Sequence, residues 1–174
     1  MKSLKYTDET DRCYGATGMA IGLMVFDGED MLASITLDGD PNEMVAMSPD
    51  FYFAGNPGVS AKTAWNQILK NYNIGIAMLM SNLLCRSVVN KRQALPNELH
   101  DFLLDLAREE GHESCSLDDD EIERLFNKNY SYLNRVFNHR GVQSVAHDFA
   151  STLGQRRTLS RLDVLELLDV LRML

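Results

Sequence analysis

The first apolar run of the chain begins at Ala16, where Met19, Ile21, Leu23 and Val25 alternate with Ala20, Gly22, Met24 and Phe26. Both alternating sets are apolar, as in a strand covered on both faces. Asp27-Gly28-Glu29-Asp30 reads as a turn, with Gly28 tolerating positive φ. Met31 to Leu37 then alternates more cleanly, with Ser34 and Thr36 on the face opposite Ala33 and Ile35. A second turn at Asp38-Gly39-Asp40-Pro41 leads to two short strand candidates, Met44 to Met47 and Phe51 to Ala54. Gly55-Asn56-Pro57-Gly58 closes this region. Together these signals predict an N-terminal antiparallel β-meander of three to four strands over about 16–54, preceded by a frayed polar segment, 1–14.

Beyond Ser60, a candidate N-cap, the period changes. Ala61, Trp65, Ile68, Tyr72, Ile76, Leu79 and Leu83 recur at helical spacing, and from Ile74 onward the helix is apolar nearly all round. Gly75 within it is expected to admit a close neighbour. Pro96 opens a second helix with a stripe of Leu99, Phe102, Leu103, Leu106 and Ala107, which Gly111 is expected to stop. Asp118 to Glu121 place four acids at the start of a third, where the helix dipole favours them. It packs through Ile122, Phe126, Leu133 and Phe137 and is expected to end by Gly141. A shorter helix runs through Val142, Phe149 and Leu153 to Gly154. A last one begins at Ser160, which with Asp163 resembles a capping box. Polar residues of this last helix form no single wet face, so residues 159–174 are expected to be either central to the core or shared with another subunit.

The fold class is therefore α+β, with the meander at 15–58 packed on a helical body of about five helices at 59–174, in one domain spanning 1–174. A chain of 174 residues with 45% hydrophobic and 24% charged positions is long enough to bury a core without a metal or disulfide staple. Its three cysteines, Cys13, Cys85 and Cys115, are odd in number and lack CxxC spacing, which points to a reducing, cytoplasmic setting. The N-terminus mixes Lys2 and Lys5 with Asp8, Glu9 and Asp11, unlike a secretory signal. The apolar run Ile74 to Cys85 is shorter than a membrane span of about 20 residues. No membrane association is expected.

The net charge of −8 argues against general nucleic-acid affinity but conceals alternating blocks. Residues 1–60 carry −7, 61–95 carry +5, 96–123 carry −10, 124–162 carry +6 and the last twelve −2. Such blocks serve either internal pairing or partner surfaces. Two candidate patches result. Glu109, Glu110 and Glu113 lie in an acidic stretch, 109–121, that the dipole of the following helix does not fully explain, and they form a candidate partner surface. Lys128, Arg135, Arg140, Arg156, Arg157 and Arg161, near Tyr130 and Tyr132, form a candidate anion or nucleic-acid patch.

Catalytic signatures are missing: there is no GxSxG, P-loop or HExxH pattern. Gly15, Gly18 and Gly22 do not match a dinucleotide fingerprint and are expected to serve close strand packing or bulges. His112 and Cys115 lack a second ligand pair for zinc. No catalytic residue, cofactor or metal is expected. The leading expectation is a non-enzymatic, self-associating interaction or regulatory module, a homodimer first and a protein partner next. The alternatives are an anion or nucleic-acid binder acting through 124–162, and an enzyme with a site between meander and helices.

Overall fold

The structure is a computed structural model that describes residues 4–49 and 61–174. The strand expected at Phe51–Ala54, the turn after it and the Ser60 cap lie outside the described residues. The fold is α+β, a small three-stranded antiparallel sheet packed on a mainly helical body.

The first element corrects the sequence reading. Helix α1 spans Glu9–Val25, where a strand was expected from Ala16 and a frayed tail before residue 15. The Asp8 side chain caps it by accepting a bond from the Asp11 N–H, and Glu9 and Asp11 occupy its acidic first turn. A segment that is apolar on both alternating sets is equally a helix buried nearly all round, and burial of Ala16, Ala20, Ile21, Leu23 and Met24 shows which applies. Gly15, Gly18 and Gly22 line the face of α1 that meets helix α2, Ala61–Leu84. A β-carbon on Gly18 would stand 2.2 Å from the Ser81 carbonyl oxygen, and one on Gly22 would stand 2.2 Å from Ser81 Oγ. The glycines serve close helix packing, not strand packing.

Helix α2 continues without a break into a π-helical segment, Cys85–Asn90. By length and composition the run Ala61–Asn90 could cross a membrane, with a mean hydropathy of 1.2 over its best window, but 83% of that window is buried inside the fold. It is the central core helix. Gly75, expected to admit a neighbour, faces open space: nothing would lie within 4 Å of a β-carbon there.

Helix α3, Asn97–Cys115, runs past Gly111, which was expected to stop it. Gly111 is instead buried, because a side chain would meet Ile122 at 2.8 Å and the Tyr72 hydroxyl at 3.0 Å. Ser116, in the left-handed conformation, provides the stop. Helix α4, Asp119–Asn138, opens with a full capping box between Asp118 and Glu121. It ends before Gly141, which lies in the first turn of helix α5, Arg140–Arg156. Phe126, Phe137 and Phe149 from these two helices are fully buried.

Strands β1, Leu32–Thr36, and β2, Val45–Met47, form the expected hairpin pair. The third strand is not the expected one. It is β3, Thr158–Ser160, from the far end of the chain, and the order β2-β1-β3 makes β1 central. Ile35 pairs with Val45 on one side and Leu159 on the other. An irregularity between Leu32 and Ser34 breaks the alternation, so Leu32 and Ile35, three apart, both reach the core. The turn after α1 places positive φ on Asp27 (55°) instead of Gly28, and the turn between β1 and β2 places it on Gly39 (106°).

Helix α6 covers only Arg161–Leu168 and passes into a 3-10 segment, Asp169–Met173. Its capping box of Ser160 and Asp163 is present as expected. Only Val164 and Leu168 are buried, whereas Leu162 is 65% and Met173 85% exposed. Residues 159–174 are therefore not central to the core. Leu165, Leu167 and Leu171 pack partly buried against the core, and Leu162, Val170, Met173 and Leu174 reach solvent.

Candidate functional site

A groove of about 840 Å³ lies between α2, α3 and the β1–β2 connection. Helical spacing in α2 puts Ile68, Tyr72, Gly75, Ile76 and Leu79 along its floor. The missing side chain at Gly75 deepens that floor. Leu106, Glu109, Glu110 and Ser114 of α3 form one wall. The other is Asp40 to Met44, where Pro41–Glu43 makes a 3-10 turn capped by the Asp40 side chain on the Asn42 N–H. Leu4, Tyr6 and Met19 close one end.

The chemistry of this groove is simple. Its interior is apolar, and its rim carries four exposed carboxylates, Asp40 and Glu43 on one lip and Glu109 and Glu110 on the other. No lysine or arginine lines it among the described residues. Tyr72 is fixed in the floor, since its hydroxyl donates to the Ala107 carbonyl at 2.7 Å, and burial pushes its pKa up to about 12. Trp65, 40% exposed, lies one turn before Ile68 on the same face of α2 and continues the apolar floor outward.

The groove is anchored by a buried ion pair. Arg86, on the π-helix, donates from Nε (2.8 Å) and Nη2 (2.6 Å) to the two carboxylate oxygens of Asp11 in α1. The same guanidinium bonds the Lys5 carbonyl and Asn82, and its carbon sits 4.5 Å over the Tyr6 ring. Burial alone would raise the Asp11 pKa, but the Arg86 bonds and the Thr7 N–H outweigh it and hold the carboxyl below its ordinary range. Tyr6 in turn accepts from Asn82 Nδ2 at 2.9 Å. This network holds the extended segment before α1 against α2, and so sets the end wall of the groove at Leu4 and Tyr6.

Among the sequence-derived candidates, Glu109 and Glu110 reach the groove and Glu113 lies exposed beyond its lining. The six basic candidates separate. Arg156 pairs with Asp163 (3.0 Å), Arg161 with Asp30 (3.3 Å), and Arg157 with Asp38 (2.9 Å) and Glu9. The acidic block 1–60 thus neutralises part of the basic block 124–162. Lys128 and Arg135, with Arg124, form an exposed stripe on α4, and Arg140 is exposed at the start of α5. His112 Nε2 stands 2.8 Å from Asp119 Oδ1, joining the α3 and α4 ends, while Cys115 is buried. Burial also raises the pKa of all three thiols.

Sequence reasoning missed Asp11, Asn82 and Arg86, and missed that Asp40 and Glu43 face Glu109 and Glu110. One signal was present: Arg86 is the lone charge in the apolar run 74–90, and such a charge needs a buried counter-ion. Comparison of the chain with protein-family models, curated proteins and solved structures finds no match.

Proposed function

We infer that this protein is a non-enzymatic interaction module that holds an apolar, positively flanked helical segment of a partner protein in the α2–α3 groove. The observation that carries this reading is an apolar floor bordered on both lips by carboxylates. A groove of this form accepts an amphipathic helix by burying apolar anchors at i, i+3 and i+7 while basic flanks meet the rim. An enzymatic reading has less support. The three thiols are buried and shifted away from the thiolate, the floor tyrosine is held protonated, and no charged side chain lies inside the groove. Buried, unpaired thiols are also compatible with a reducing, cytoplasmic setting.

The test uses the chain's one tryptophan, Trp65, as a reporter. Titration with a synthetic amphipathic helix of leucine and lysine should shift its emission saturably. The double variant Glu109→Lys/Glu110→Lys should weaken binding by about tenfold, since each exposed pair contributes about 0.2–1 kcal/mol and reversal adds repulsion. An unchanged Trp65 spectrum up to about 1 mM peptide, on the scale of the weakest useful affinities, would remove this reading.

A second reading, self-association, rests on a different surface. Leu162, Val170, Met173 and Leu174 expose apolar surface together at the end of the described chain. Exposed Arg161, Glu166, Asp169 and Arg172 alternate with them along the chain, and both signs of charge suit a self-complementary two-fold contact. Light scattering at low micromolar concentration should then report a dimer, and Met173→Glu a monomer. A monomeric parent protein rejects the homodimer while leaving the groove reading intact.

A further inference from the structure

A second cavity, of about 570 Å³, opens where the end of the π-helix meets the α4–α5 corner. That volume is within the range of about 300–1,000 Å³ typical of small-molecule sites, but its lining is different in kind. Its apolar part is only Val88, Val89 and Ala94, and the rest is Arg92, Gln93, Asn134, Asn138, Gln143 and His147. Three separate segments bring these six polar side chains together.

Their unused hydrogen-bonding capacity defines what fits. Asn138 Nδ2 donates to the Asn134 carbonyl at 2.6 Å, and Gln143 Nε2 donates to the Phe137 carbonyl at 2.9 Å. Those bonds fix the two amides and leave Asn138 Oδ1 and Gln143 Oε1 as acceptors. Asn134 accepts through Oδ1 from Asn138 and keeps its amide donors. Tyr14 Oη lies 2.7 Å from His147 Nδ1. That contact occupies Nδ1, and burial holds the Tyr14 phenol above its usual range. It leaves Nε2 as the second polar atom of the ring. Arg92 makes no ion pair among the described residues, and its backbone is held at φ 55°. It is the one full positive charge in the lining.

One cation with a mixed set of amide donors and acceptors matches one anionic group and several hydroxyls. A nucleic-acid strand would need a line of cations for successive phosphates, and a nucleobase would need an aromatic platform. The lining offers no line of cations, and its aromatic ring, His147, is already engaged edge-on by Tyr14 with centroids 5.6 Å apart. We propose that this cavity is a binding site for a small polyhydroxylated molecule carrying one phosphate or carboxylate, with the anion on Arg92 and the hydroxyls on Asn134, Asn138, Gln143 and His147. It is independent of the groove.

The site is tested by following the side-chain amide signals of Asn134, Asn138 and Gln143 by NMR during titration with ribose 5-phosphate, gluconate, ribose and inorganic phosphate. Saturable shifts with ribose 5-phosphate or gluconate support the site and identify the anion it takes. Arg92→Gly, which accepts the positive φ without strain, should weaken that binding at least tenfold, and Asn134→Asp should do the same with the fold retained. Absence of shifts with both anionic ligands at about 10 mM, beyond the millimolar range of weak sites, overturns the proposal. So does inorganic phosphate binding as tightly as ribose 5-phosphate, or tighter binding of a single-stranded RNA.

Discussion

Alanine in place of Gly18 tests the close packing of α1 on α2, on which the rest of the helical body depends. Its β-carbon would lie 2.2 Å from the Ser81 carbonyl oxygen and 2.6 Å from Cys85 Cβ. Carbon contacts are normally about 3.5–4.0 Å, so the helices must part by on the order of 1 Å. Ser81 and Cys85 are fully buried, and the nearest obstacle is backbone with no rotamer to give way. Overpacking of this kind costs about 1–3 kcal/mol, or more where the obstacle is rigid. Against it, alanine gains about 1 kcal/mol over glycine in a helix interior. We expect Gly18→Ala to be destabilising by about 2 kcal/mol, lowering Tm by about 4–8 °C for a chain of this size. Gly75→Ala is the matched control in the partner helix. With nothing within 4 Å of its β-carbon, it should instead stabilise by about 0.5–1 kcal/mol. Urea unfolding followed by circular dichroism measures both. Equal shifts in the same direction would refute the packing argument, because propensity would then be the only operative term.

Asp11→Asn should cost about 3–5 kcal/mol, because it leaves the Arg86 guanidinium buried without its counter-charge. With the folded Asp11 pKa depressed, its stabilisation is present above about pH 4 and is lost as pH falls through the folded value. Denaturant midpoints measured from about pH 5 to 2 should therefore fall more steeply in the parent than in Asp11→Asn. Tyr72, with its pKa raised to about 12, favours the fold below its ordinary value, and that contribution is lost as pH rises toward 12. Ultraviolet titration should show a phenol titrating near 12 that is lost in Tyr72→Phe, and an unchanged titration curve in that variant would refute the burial of the Tyr72 hydroxyl. Asp118→Ala removes one half of the α4 capping box and should cost about 1 kcal/mol, read as a lower urea midpoint.

Helix periodicity made most of the body legible. The apolar stripes of α3, α4 and α5 and the Asp118 and Ser160 caps are local patterns, and local patterns survive the absence of a fold. Gly111 misled for the same reason in reverse. Seen alone, a glycine near the end of a stripe is a stop, whereas in the fold it is the gap that admits Ile122. The candidate site was half legible. The excess of acid at Glu109 and Glu110 stood out, but its use did not, because Asp40 and Glu43 are remote in sequence and only the fold sets them on the opposite lip.

What the sequence by itself determined is the α+β class, the hairpin of β1 and β2, the five helices beyond residue 60 and the alternation of charge, since each follows from period, turn chemistry or counting within one segment. Tertiary structure decided the rest. It made residues 16–25 part of a helix, because a segment apolar on every side takes its secondary structure from what covers it, and here that is Ser81 to Cys85 against three glycines. It supplied the third strand from residues 158–160, since a strand of three residues carries almost no pattern and exists only through its pairing with Ser34, Ile35 and Thr36. It also brought Asp11 to Arg86, two charges 75 positions apart whose burial is tolerable only because each removes the other's cost.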